Sequence, residues 1–460
     1  MEERRCYLPP EHMPTAWYNV LADLPTQPAP YLHPITHEPL TPDYLTSILP
    51  ISILEQELSS QRWIDIPGEI LDVLCQYRPS PLHRAVRLEQ ALGTPARIYY
   101  KNEGVSPTGA HKANAAIAGV YYNKKAGTKR LTTDTGAGQW GSALSLACHW
   151  FGMDCTIYMV RISYDQKPYR RTMMRLWGAE VLPSPSTRTQ TGRDILAKDP
   201  DCLGALGIAV SEAVEDARAN PDVCVSNGSV LNHVLMYQTV IGLECIEQFN
   251  MIGDDPDVVI GCVGGGSNFG GLMLPFLGRQ LRGEAKKPVR FLAAEPAACP
   301  SLTRGPFAYD YCDLMGLIPM AKMHTLGHTF VPPGIHAGGL RYHGASPLLC
   351  HLRSEGRIEA EAYGQLSVFQ AGDLFVKTEG FLPAPESCHA IRAAVDEALK
   401  AKAEGKERVI LFGFSGHGFL DLAAYEAWVD GTLPDSVATE ADLMKSLADL
   451  PAVGEIAQAA

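Results

Sequence analysis

Ser106-Pro107-Thr108-Gly109-Ala110-His111-Lys112-Ala113-Asn114 runs directly into Ala115-Ala116-Ile117-Ala118-Gly119-Val120-Tyr121-Tyr122. Proline and glycine break the chain just before the small-residue run. That run reads as a tightly packed helix, so Lys112 falls in its first turn. A cation is badly placed there. The helix dipole puts partial positive charge at that end, which disfavours an ammonium and favours the neutral amine, the form that condenses with an aldehyde. Lys112 is therefore a candidate for imine chemistry. The plainer alternative is an exposed lysine whose stem lies along the surface.

On either side of this turn, short β-branched or aromatic runs alternate with longer helical ones, the pattern of βαβ units and parallel sheets. Strands are expected at residues 98–101, 129–133, 155–160, 179–182, 257–263, 290–294 and 409–413. Helices are expected at 142–150, 167–177 and 386–402. Polar residues 187–193 read as a loop or a crossing between domains. The expected fold class is α/β, doubly wound. Residues 1–78 hold 11 of the 34 prolines and read as a segment that wraps over the body; residues beyond about 435 carry no chemical motif.

Three further stretches could carry chemistry. Val263-Gly264-Gly265-Gly266-Ser267-Asn268-Phe269-Gly270-Gly271 follows a buried strand and precedes a helix, so its backbone N–H groups form an anion nest. Phe269 breaks G-x-G-x-x-G, and no Gly-Lys-Ser/Thr follows, so a monophosphate fits better than a nucleotide; a closely packed turn is the alternative. Asp134 precedes a second glycine loop, Thr135-Gly136-Ala137-Gly138-Gln139-Trp140-Gly141, which offers donors to a carboxylate. Beside such a nest an acid repels the ligand unless it has work to do, which makes Asp134 a candidate for proton transfer or for orienting a nucleophile; an N-cap role is equally open. Ser415, in Phe414-Ser415-Gly416-His417-Gly418, follows a strand at its carboxyl end and reads as a hydrogen-bonding group rather than a nucleophile elbow. Glu386, in Pro383-Ala384-Pro385-Glu386-Ser387, is a helix start or a site residue.

Other residues read as structural. Pro34 interrupts the pair His33 and His37, and His324 with His328 lacks the glutamate of H-E-x-x-H, so no metal site is expected. Arg161, Lys167, Arg170, Arg171 and Arg175 read as a solvated helix face. Twelve cysteines without a C-x-x-C pair suggest reduced, buried thiols. The 460 residues are 46% apolar with a net charge of −12, which suits a globular protein and argues against a nucleic-acid surface. No signal peptide opens the chain and no 18-residue apolar run appears, so a cytoplasmic location and no membrane partner are expected.

Taken together, the lysine turn, the two glycine loops and the strand-end serine resemble the tryptophan synthase β-chain family of pyridoxal-phosphate enzymes. Trp17-Tyr18-Asn19, Trp140 and His336-Ala337-Gly338-Gly339-Leu340-Arg341-Tyr342-His343-Gly344 resemble its extended second type. The resemblance implies two doubly wound parallel-sheet domains of the type II architecture, with the cofactor between them, usually in a homodimer. Their expected extents are residues 79–110 with 237–435, and 111–236 with a mobile, substrate-gating part at about 127–218. Residues 1–78 form an N-terminal extension and 436–460 a tail.

By the same resemblance Lys112 holds pyridoxal 5′-phosphate and moves protons, with His111 and Asn114 beside it. Gly264, Gly265, Gly266, Ser267 and Asn268 bind the phosphate, Ser415 meets the ring nitrogen and Glu386 lies along the ring. Thr135, Gly136, Ala137, Gly138, Gln139, Trp140 and Arg341 serve the substrate. The implied reaction exchanges the β substituent of serine, or of an activated serine such as phosphoserine, for indole, giving tryptophan. Arg341 stands where the standard type has aspartate, and three features depart from the family: Asp134 where it has glutamate, Gly413-Phe414 where Asn-Leu is usual, and Asn102 upstream of the lysine turn. A relative using another donor or nucleophile, and a non-catalytic binding descendant, stay open, as do an α subunit and a monovalent cation.

Overall fold

The computed structural model describes residues 5–41, 44, 46 and 49–453. The first four residues of the expected extension, and the start of any signal segment, lie outside them, as do residues 454–460 of the expected tail. Two sheets organise the chain. The larger has seven strands in the order Arg5–Cys6, Leu82–Arg84, Arg97–Asn102, Val409–Phe414, Val258–Cys262, Arg290–Pro296, Glu359–Tyr363. Leu82–Arg84 pairs antiparallel with both its neighbours, and the other pairings are parallel. The smaller sheet is parallel throughout, in the order Glu180–Ser184, Asp154–Val160, Arg130–Thr135, Val223–Val225.

Central strands of the larger sheet are covered on both faces, which is why Val258–Cys262 and Val409–Phe414 read as unbroken apolar runs and are buried throughout. The helix Pro385–Glu404 packs on one side and Ser267–Leu281 on the other. Between Arg97–Asn102 and Val258–Cys262 the chain leaves the larger sheet, builds the smaller one and returns. Lys112 stands at the departure, at the N-cap of the helix Ala113–Lys125.

The helix expected at 167–177 is Pro168–Leu176; a separate helix, Arg161–Gln166, precedes it and ends at Lys167, because Pro168 has no N–H to continue that first helix and suits the first turn of the second. Two expectations gain detail. Residues 187–193 are only partly loop; the Thr189 side chain accepts from Gly192 N and starts the helix Gln190–Lys198. The proline-rich extension supplies the edge strand Arg5–Cys6 to the larger sheet and bridges Leu32 to Met320, so it is woven in at two points. All twelve cysteines are unpaired, eight of them buried. Among the described residues no helix is long and apolar enough to cross a membrane.

Candidate active site

Three loops meet where the neighbouring strands Arg97–Asn102, Val409–Phe414 and Val258–Cys262 reach their carboxyl ends, the usual ligand position in parallel sheets. Ser106 Oγ clamps the lysine turn by accepting from Ala110 N at 3.0 Å and donating to Ala110 O at 2.7 Å. Gly109 has φ +72°, and the His417 ring fills the space a side chain there would need. His111 N donates to Ser415 O at 2.9 Å, and His111 Nε2 lies 3.0 Å from Ser267 Oγ, so a single residue ties the lysine turn to both other loops.

Two cavities open beside Lys112. The smaller, about 40 Å³, is lined by residues 109–112, 264–268, Glu386 and 415–417. A Cβ on Gly264 would come 2.7 Å from Gly339 O, one on Gly265 2.4 Å from Ser229 Oγ, and Gly266 has φ +110°, so only glycine builds this floor. The loop ends at the start of a 15-residue helix with no acid in its first turn. Ser415 Oγ sits 2.7 Å from Ser387 Oγ. Glu386 Oε1 accepts from Gly339 N at 2.9 Å, whereas Glu386 Oε2 and Asn268 Oδ1 are buried without a partner. An amine, an anion nest, a strand-end hydroxyl and unmatched polar atoms around one hollow fit pyridoxal phosphate.

The larger cavity, about 130 Å³, is walled by Lys112, Asp134, Thr135, Gly136, Ala137, Gln139 and Trp140 on one side and by apolar side chains, including Val210 and Val214, on the other. Burial lowers the Lys112 pKa, with Asp134 and Glu386 opposing. Burial raises the Asp134 carboxyl to about 6, held back by its own backbone N–H and by Lys112. Burial and the Lys112 charge push His111 down to about 3, so it is neutral. Asp134 is not an N-cap; it lies inside the strand Arg130–Thr135, and Gly138 with φ +94° starts the following helix. Glu386 lies in the first turn of Pro385–Glu404 and also in the wall of the smaller cavity.

Two expected site residues stand elsewhere. Asn114 lines neither cavity: its Oδ1 accepts from Tyr77 and Arg78 and its Nδ2 donates to Glu103 and Gln238, in a buried ionic cluster with Glu244. Two residues along a helix from Lys112, it points roughly the opposite way. Arg341 lines a separate hollow and donates to Pro332 O at 2.8 Å, while Tyr342 next to it faces the larger cavity.

Other contributors escaped the sequence. Lys167 and Arg170 are not solvated; both are buried on Asp421, at 2.5 and 2.7 Å, and fasten the helix beside the smaller sheet to the loop after Ser415. Tyr31, Leu49 and Glu57 bring the proline-rich extension into the wall of the larger cavity. Glu57 accepts from Asn232 N, His233 N and the His233 ring. A lone carboxylate in such a segment gives no sequence signal, and its partners lie about 175 residues away.

Comparison with known proteins agrees with this geometry. Residues 73–416 match the family model described as pyridoxal-phosphate dependent enzyme. A tryptophan synthase beta chain 2 of Methanosarcina mazei is 56% identical over 433 residues, 94% of this chain and 98% of that one. Its namesake from Thermotoga maritima is 57% identical over 418 residues, 91% and 98% of the two chains. In fold, the chain is similar to a fungal L-serine ammonia-lyase from Rhizomucor miehei, with a TM-score of 0.58 at 14% identity over 77% of this chain and 99% of that one. Matched along three quarters of its length by the one model and nearly end to end by the relatives, the chain belongs to the pyridoxal-phosphate-dependent enzymes and, among them, to the tryptophan synthase β-chain family.

Proposed function

We propose that this lyase replaces the β substituent of L-serine, or of an activated serine such as O-phosphoserine, with indole to give L-tryptophan. One observation carries the reading: an amine depressed by burial and a carboxyl raised to about 6 face one largely apolar cavity, and the amine also borders a glycine-floored hollow. When bound, pyridoxal phosphate supplies an electron sink for the substrate α carbon. Residues 264–268 would hold its phosphate and Ser415 its ring nitrogen, with Glu386 along the ring. A neutral hydroxyl such as Ser415 leaves that nitrogen unprotonated, which favours loss of a β group over build-up of carbanion charge.

Lys112, as a neutral amine, takes and returns the α proton. Backbone N–H groups of residues 135–139 orient the amino-acid carboxylate. Protonated Asp134 donates to the departing β oxygen, and the resulting carboxylate then orients the nucleophile's N–H. Val210, Val214 and Trp140 keep water away from the β carbon. The same reading takes the enzyme to be a cytoplasmic homodimer whose residues at about 127–218 move as substrate enters.

Asp134 favours a second reading within the same chemistry, with another nucleophile or donor. Its carboxylate falls roughly 1.5 Å, about one C–C bond, short of glutamate's reach. Product analysis with serine, phosphoserine and threonine, each with and without indole, separates the two. Tryptophan from serine or phosphoserine is expected; none from any donor would overturn the first reading.

A further inference from the structure

Arg341 carries a guanidinium with no counter-charge beside it among the described residues. The residue is only 9% exposed, its Nε is buried without an acceptor, and among the described residues its one hydrogen bond goes to the carbonyl of Pro332. Burial lowers its pKa, and the group opposing that is the Cys299 thiol, which burial itself keeps neutral. No carboxylate among the described residues pairs with it. Lysine could shed its proton in such a place; arginine cannot. A buried, unpaired and permanent charge is among the costliest features a fold can carry.

The hollow that Arg341 lines, about 40 Å³, is closed on its other side by Ala205, Leu206, Gly207 and Ile208. These residues begin the 13-residue helix Leu206–Arg218, whose N-cap Ala205 has no side chain to accept a hydrogen bond and whose first turn has no acid. Ile208 N donates to Ala205 O, whereas Leu206 and Gly207 have no side-chain cap, and the positive end of the helix dipole borders the same small space as the unpaired guanidinium. The polar neighbours do not neutralise it: His328 is engaged by Asp310 and His343 by Tyr311 O.

We propose that this hollow binds a small monovalent anion, a halide or a carboxylate, between Arg341 and the start of the helix Leu206–Arg218. Its size admits an ion of one to a few heavy atoms, and its single cationic side chain matches a single charge. The glycine nest of residues 264–268 is a separate space with a separate lining. Leu206 and Tyr342 border both the anion hollow and the larger cavity above Lys112, and Val210 and Val214 of the same helix also line that cavity. An ion that fastens the helix start to Arg341 thereby fixes one wall of the substrate cavity, which couples the two sites. This last consequence rests on the reaction proposed above; anion binding does not.

The test compares sodium bromide with sodium gluconate at fixed ionic strength, for the holoenzyme, Arg341→Met and Ala205→Asp. Wild type should show a saturable rise of several degrees in thermal midpoint with bromide and an anomalous bromide peak beside Arg341 in crystals. Arg341→Met should lose the bromide-specific rise. Ala205→Asp, which supplies its own carboxylate at the N-cap, should melt higher in gluconate and gain nothing from bromide. Equal bromide effects in all three proteins would overturn the proposal, and so would a crystal peak without an Arg341-dependent shift in solution, which marks an adventitious ion only. Bromide should also lower the KM for indole severalfold in wild type. A protein that binds bromide at Arg341 yet makes no tryptophan would refute the proposed reaction and leave the anion site standing.

Discussion

Replacing Asp134 by asparagine should make the cofactor-free protein more stable and the enzyme much slower. The Asp134 carboxyl, ordinarily at 3.8, is raised by burial to about 6, so the folded state prefers it protonated and is penalised wherever it is ionised. A group whose folded pKa is raised carries no penalty below its unfolded value. The penalty grows as pH climbs through the window from about 4 to about 6 and is complete above it, at on the order of 3 kcal/mol. Asparagine keeps the shape and drops the charge. Asp134→Asn should therefore gain on the order of 2–3 kcal/mol at pH 8 and about half of that at pH 5, read as urea midpoints of the cofactor-free protein followed by tryptophan fluorescence. The same change should slow tryptophan formation by about a hundred- to ten-thousandfold, the usual worth of a positioned acid–base group. A gain independent of pH, or a loss of stability at pH 8, would refute the idea that Asp134 is held at a cost for its chemistry.

Asp134→Glu should raise turnover of serine relative to phosphoserine, because a hydroxyl needs a proton to leave and a phosphate does not; competition between the two donors measures the ratio, and an unchanged ratio contradicts the assignment. Asp421→Ala should cost about 3–5 kcal/mol, because it strands two buried cations, and more than Lys167→Met, which strands none. Burial alone would raise Asp421, but Arg170 and Lys167 hold it down at about 2, so its contribution is present above about pH 4 and is lost as pH falls toward 2; urea midpoints across that range check both claims. Gly265→Ala should weaken pyridoxal phosphate binding at least tenfold, since its Cβ would lie 2.4 Å from Ser229 Oγ, and adding Ser229→Gly should restore part of the affinity in an absorbance titration.

What could be read in the chain divides by the range of the interactions involved. The lysine turn, the triple glycine and the strand-end serine announce themselves because each is a local break between a strand and a helix, and parallel sheets gather such breaks on one edge. Asn114 lies where helix geometry alone puts it: two helical residues turn a side chain by about 200°, so a residue two beyond Lys112 belongs to the opposite face, where the Arg78 and Glu103 cluster waits. Lys167 and Arg170 were out of reach, because the carboxylate that buries them lies 254 and 251 residues further on. A basic helix face reads as solvated until its partner is seen. Arg341 is the instructive reverse. Gly338, Gly339 and Tyr342 line the substrate cavity, and the resemblance makes Arg341 a substrate ligand. Arg341 instead lines the neighbouring hollow at the start of Leu206–Arg218, which Tyr342 and His343 also border. A pattern of residue types identifies chemistry that a turn or a helix start can hold by itself, whereas which of two adjacent hollows a side chain enters depends on elements that arrive from elsewhere in the fold.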